Sequence, residues 1–158
     1  MTISMRFIPA LRSALFLPFL LLGPWMTPRS WAARYFVDCS RSTAGNGSQD
    51  SPWNAPDAVS ARSFQPRDVI AFRRGTVCHG SLSLHGSGTL AERIRLTAWG
   101  EGVRPRIVAG KSDTEALLLK NGAYWQIDSL DIAGGTTYGL LVTGDRDKVQ
   151  SHITLRNL

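Results

Sequence analysis

From Asp68 onward the chain alternates apolar and polar residues in short bursts, and the bursts recur. Four segments carry the pattern: 68–75 (DVIAFRRG), 93–102 (RIRLTAWGEG), 123–132 (AYWQIDSLDI) and 151–158 (SHITLRNL). Aligned on Phe72, Leu96, Ile127 and Leu155, they are spaced by 24, 31 and 28 residues. The residue two places earlier is also apolar each time (Ile70, Ile94, Trp125, Ile153). The neighbours between and beyond are mostly small or polar: Ala71, Arg73, Arg95, Thr97, Gln126, Asp128, Thr154 and Arg156. Alternation of period two buries one face of a strand, and its return every two to three dozen residues predicts a stacked solenoid. Phe72, Leu96, Ile127 and Leu155 are predicted to touch in one internal file.

The remaining segments fit around these strands. Arg34–Cys39 (RYFVDC) reads as a strand with Tyr35 and Val37 on one side and Phe36 on the other, followed by a polar loop over Ser40–Pro52. Asn54 is placed to cap a short helix from about Ala55 to Ser63, with Asp57 in its first turn and Val59 on its buried side. Set before the first coil, that helix would serve as a lid over exposed strand edge and core. Further strands are predicted at Gly80–Leu84, with Leu82 and Leu84 inward, and at Arg106–Ala109, Ala116–Leu119 and Gly139–Thr143. Asn121-Gly122 is a turn. Asp128-Ser129 and Arg156-Asn157 fall at equivalent corners, where a left-handed residue is expected.

The first thirty residues change the picture of charge and compartment. Arg6 and Arg12, the apolar run Ala14–Leu22 and the small residues Ser30 and Ala32 read as a secretory leader with a mature start at Ala33. Pro18 and the shortness of the run argue against a membrane span. The formal charge of +6 then loses weight, since residues 33–158 hold 15 basic and 12 acidic groups. With no basic run and no motif, nucleic-acid binding is not expected. In an oxidising compartment the only two cysteines, Cys39 and Cys78, read as a disulfide rather than a metal site or a nucleophile.

The stretches YFVDCSRSTAGNGSQDSPW and RDVIAFRRGTVCHGSLSLHGSGT, the turn AWGEG, and YWQIDSLDI followed by ITLRNL resemble secreted right-handed parallel β-helix repeat proteins of the pectate-lyase-like superfamily. The resemblance covers nearly all of 34–158 and matches members that carry cysteines where Cys39 and Cys78 stand. It departs at Arg67, where Gly-Asp is commoner than Arg-Asp, which bears on that turn alone. It implies an all-β right-handed parallel β-helix (solenoid) with an N-terminal cap strand and short cap helix. The expected organisation is a leader over 1–32, a cap over 33–67 and coils over 68–158. The implied activity is that of a polysaccharide lyase or glycoside hydrolase on an acidic or plant-type polysaccharide, with calcium as a cofactor by resemblance only. The expected protein is secreted or periplasmic, monomeric, bound to polysaccharide and free of nucleic acid, and free of the membrane after leader cleavage. Because no polar cap follows the last repeat, the chain is expected to be the N-terminal portion of a longer protein.

On a solenoid the outward columns are where reactive side chains would stand. Sugar hydrolysis needs two carboxyl groups about 5–9.5 Å apart, which on stacked coils means acids in one column or on a diagonal. The predicted columns (Ala71, Arg95, Gln126, Thr154 and Arg73, Thr97, Asp128, Arg156) hold a single acid, so no catalytic residue is nominated. Arg95 and Asp128 are the candidate substrate-binding residues, the first rung of a sugar-binding groove. The plain alternative is a diagonal ion pair on a solvated face. Asp38, Asn46 and Asp50 could gather around calcium but read better as turn formers. His79 and His85 are expected at the surface without a third partner. Among the tryptophans, Trp125 and Trp99 are expected inside and Trp53 exposed. The alternative to an enzyme is a non-catalytic surface or carbohydrate-binding solenoid, or an inactive fragment.

Overall fold

A computed structural model describes residues 31–148 and 150–158. The predicted leader therefore lies, apart from Trp31 and Ala32, outside the described residues. Twelve strands and one helical turn make up the described chain. They are β1 (Arg34–Val37), α1 (Asp57–Ser60), β2 (Ser63–Phe64), β3 (Val69–Arg73), β4 (Val77–His79), β5 (Leu82–Gly86) and β6 (Ile94–Trp99). There follow β7 (Arg106–Val108), β8 (Glu115–Lys120), β9 (Trp125–Asp128), β10 (Asp131–Ala133), β11 (Tyr138–Thr143) and β12 (Thr154–Arg156). Every strand pairing is parallel. The first sheet is ordered β1-β3-β6-β9-β12, the second β4-β7-β10 and the third β2-β5-β8-β11. The chain visits the sheets in rotation, so β3-β4-β5, β6-β7-β8 and β9-β10-β11 are three complete coils and β12 opens a fourth. The class is the predicted one, an all-β parallel β-helix.

Each coil sends its inward residues to a shared axis. Ile70, Phe72, Leu96 and Ile127 from the first sheet, Cys78 and Ile107 from the second, and Leu84, Leu117 and Leu119 from the third are all fully buried. Full burial of a side chain of this size contributes about 1.5–3 kcal/mol, so the axis is the main source of stability. Trp125 sits on the same axis, its indole N–H donating to the Gly86 carbonyl at 2.9 Å. That bond removes the penalty of a buried N–H.

The register of one rung differs from the expectation. Leu96 pairs with Ile127 and Ile127 with Leu155, but Leu96 faces Ile70 and Phe72 faces Ala98. The internal file is thus Tyr35, Ile70, Leu96, Ile127 and Leu155, with Phe72 on the same face one step along. A slide of two residues leaves the inward face unchanged, so alternation alone cannot detect it. Packing decides it, because the Phe72 ring meets small Ala98 instead of a second large side chain.

The predicted helix over 55–63 is shorter than expected. It is a single turn, Asp57–Ser60, with Pro56 rather than Asn54 at its start and no side-chain cap. Ser63 and Phe64 are instead extended and pair with His85 and Gly86. Phe64 reaches the core, edge-on to Tyr35 and Trp125, which a continued helix would not allow. Val59 is buried as expected. At the corners Ser129 (φ 62°) and Asn157 (φ 50°) adopt the anticipated left-handed conformation. Arg67 does too, at φ 75°, where glycine would carry no steric cost.

A candidate functional site on the first sheet and its corner

The outer face of the first sheet is built by the polar members of each alternation. Val69, Arg95, Gln126 and Thr154 form one outward column and Arg73 pairs with Trp99 in another. Arg95 therefore stands opposite Gln126, and Asp128 opposite Arg156. Arg95 and Asp128 do not form an ion pair. Arg95 is exposed, and Thr154 accepts a hydrogen bond from Arg93 at 2.8 Å.

Asp128 is engaged elsewhere. Its carboxylate accepts from the Asn157 side-chain amide and from the Ser129 hydroxyl, each at 2.9 Å. Those bonds, with smaller contributions from Arg156 and Arg95, hold its pKa below the ordinary carboxylate range. An acid so placed stays ionised at neutral pH, ties two successive corners together and does not serve as a proton donor.

Asp38 follows similar logic at the sheet's first strand. Burial raises its pKa, but the Ser40 hydroxyl at 2.6 Å and the Arg73 guanidinium at 2.7 Å outweigh that and lower it overall. Arg73 in turn lies over the Trp99 ring, 5.9 Å from its centroid, and Trp99 packs edge-on against Phe36. Trp99 thus belongs to the outer face rather than the interior, a correction that follows from its pairing with Arg73. Trp53 is corrected in the opposite sense. It is buried, stacked on Tyr35 at 5.1 Å, because the loop after β1 folds back and bridges Val37 to Trp53. Asn46 accepts from the Ser48 N–H in a tight turn, away from Asp38's partners. Among the described residues no group of three or more His, Cys, Asp or Glu side chains is placed to hold a metal ion. His79 and His85 are exposed, as expected.

Cys39 and Cys78 are disulfide-bonded, with their Cα atoms 5.2 Å apart. The bond ties the segment after β1 to β4 in the first coil.

Where the first sheet turns into the second, the corners of the first two coils enclose a cleft of about 580 Å³. Its walls include Arg74, Val77, Val103, Arg104, Arg106 and Asp131. Gly75 and Gly102, both at positive φ, let the two corners approach closely, and the Gly75 N–H donates to the Val103 carbonyl at 2.9 Å. Sequence reasoning missed this cleft. Its one legible signal is that RGTV at 74–77 and GVRPRIV at 102–108 both place glycine and arginine around a strand start.

The fold and this surface define a parallel β-helix with a polar, arginine-bearing outer face. No family model matches the chain, and no curated protein matches it. Among solved structures it is similar to two crystal structures of GH136 lacto-N-biosidase from Eubacterium ramulus, the native protein and its selenomethionine derivative. Each aligns with a TM-score of 0.58 and 24% identity over 66% of this chain and 21% of theirs. The chain thus spans about a fifth of the length of the structures it matches. The likeness is one of fold.

Proposed function

We propose that this chain belongs to an exported, carbohydrate-active β-helix protein of the pectate-lyase-like superfamily. The observation that carries the reading is the outward column Arg95, Gln126 and Thr154, three hydrogen-bonding side chains on successive rungs. Rungs stack at about 4.8 Å, so the column forms a continuous polar strip along the solenoid. The fold likeness to a lacto-N-biosidase and the Cys39–Cys78 disulfide support the same direction. Arg95 would bind sugar directly, while Asp128 would hold the corner beside it. Whether a longer protein acts as a lyase or a hydrolase rests on groups other than Asp128, which is tied as an ionised acceptor.

A non-catalytic carbohydrate-binding solenoid is the second reading, and it has a specific observation behind it: the two acids beside the outward columns of the first sheet are both tied, Asp128 by Asn157 and Ser129 and Asp38 by Ser40 and Arg73. One experiment separates the two. The protein is incubated with a panel of neutral and acidic polysaccharides, followed by ultraviolet absorbance, reducing ends and retention in affinity gels. Absorbing unsaturated products indicate a lyase, and new reducing ends without absorbance indicate a hydrolase. Retention without products indicates a binding module. The absence of both product and retention with every saccharide refutes the carbohydrate reading.

A further inference from the structure

The corner cleft carries a charge imbalance that the folded chain leaves unresolved. Three guanidinium groups face it against one carboxylate. Asp131 is paired with Arg106 at 3.3 Å, which leaves Arg74 and Arg104 in excess. Among the described residues neither has a carboxylate partner: Arg74 donates to the Gly102 carbonyl at a long 3.4 Å, and Arg104 to the Asn157 carbonyl at 2.7 Å. Each bond uses one donor of a fork that has five, so most donors remain free. Glu101 lies next in sequence to Gly102 but does not line the cleft. Val77 (47% exposed) and Val103 (76% exposed) supply an apolar wall beside the two arginines. Arg74 leaves the corner of the first coil and reaches that of the second, whereas Arg104 leaves the second coil and reaches the Asn157 carbonyl of the fourth, so the two forks stand at different heights along the axis.

The geometry points to a binding site for an anionic saccharide in this cleft, with Arg74 and Arg104 each gripping a separate carboxylate or sulfate of an acidic chain and Val77 and Val103 meeting the apolar face of a ring. Guanidinium groups suit both anions, because their paired N–H donors match two oxygens on one centre. The inference rests on the carbohydrate reading proposed above and assigns that reading a ligand class and a place distinct from the Arg95 column.

The test uses the full chain, with binding measured by titration calorimetry against three probes: an oligogalacturonate, a sulfated galactan oligosaccharide and uncharged cellohexaose. The expected result is binding of at least one acidic probe but not cellohexaose, weakened as salt rises. The Arg74→Ala/Arg104→Ala double variant should raise Kd at least tenfold, while Lys111→Ala on a distant exposed loop leaves it unchanged. Preference for the uronate assigns the anion as a carboxylate, and preference for the galactan as a sulfate ester. Circular dichroism identical to the parent shows that the double variant is folded, and Arg104→Glu provides a second variant with the same expected loss. Equal Kd in the parent and double variant overturns the site, as does equal affinity for cellohexaose. Acidic probes that fail to bind the parent also overturn it. A neutral glycan retained in the panel and unaffected by the double variant would sink this site while leaving the carbohydrate reading in place.

Discussion

Removing the Cys39–Cys78 disulfide should show how strongly the first coil depends on being tied to the strand that precedes it. The bond spans a sequence separation of 39 residues. In the chain-entropy relation a loop of that length removes about 13 cal/mol/K from the unfolded ensemble, or about 4 kcal/mol at 25 °C. Residual structure in the unfolded chain lowers the measured value, so a loss of about 2–4 kcal/mol is expected for Cys39→Ala/Cys78→Ala. Alanine is the right replacement because Cys78 is fully buried, and serine would leave a hydroxyl without a partner. Urea unfolding followed by tryptophan fluorescence reads the effect through buried Trp125. The denaturant slope should also rise, since an unlinked chain exposes more surface on unfolding. Reduced parent protein separates loss of the cross-link from loss of packing, and it should match the double variant to within about 1 kcal/mol. A double variant as stable as the oxidised parent to within about 1 kcal/mol would refute the reasoning, as would two titratable thiols in the unreduced protein.

Two residues of the same internal file should behave very differently. Ile127→Ala removes a fully buried side chain and should cost about 2–5 kcal/mol, whereas Leu155→Ala, at a position 44% exposed, should cost less than about 1 kcal/mol in the same thermal or urea assay. Equal costs would mean that the file does not form the core. The Asp38 carboxyl sits below its ordinary pKa in the folded protein, so its contribution is present above the unfolded value of about 3.9 and is lost as pH falls through the folded pKa. Asp38→Asn should lower stability at pH 7 by about 1–2 kcal/mol, a figure discounted for the exposed side of Arg73. The variant should also lose less stability than the parent between pH 5 and 2. An acid limb as steep as the parent's in urea titrations would exclude Asp38 as a contributor.

The local alphabet of this protein is written plainly along the chain. Period-two alternation at Ile70–Phe72, Ile94–Leu96, Trp125–Ile127 and Ile153–Leu155 returns at intervals suited to a coil, and each instance is a strand or its margin. The corner residues Ser129 and Asn157 were equally legible, because a left-handed backbone is a local property with a local chemical preference. Arg67 shows the limit of that logic. It takes the left-handed turn that glycine would occupy at lower cost, and its side chain pairs with Glu92 at 2.6 Å. The neighbouring Asp68 closes the turn by accepting from the Gln65 and Ala33 N–H groups.

What alternation determined by itself was the repeated strands β3, β6, β9 and β12 of the first sheet and which face of each looks inward, because both depend only on neighbours two residues apart, whereas β2 and β4 are too short to carry such a signal. Tertiary structure decided how far each coil slides against the next, since a two-residue shift of β3 on β6 preserves every inward face and only the fit of Phe72 against Ala98 tells the registers apart. It also decided where Trp53 and Trp99 lie, through the fold-back of the loop after β1 and the Arg73 pairing. The same stacking brings Arg74 and Arg104, thirty residues apart in the chain, to the two walls of one cleft.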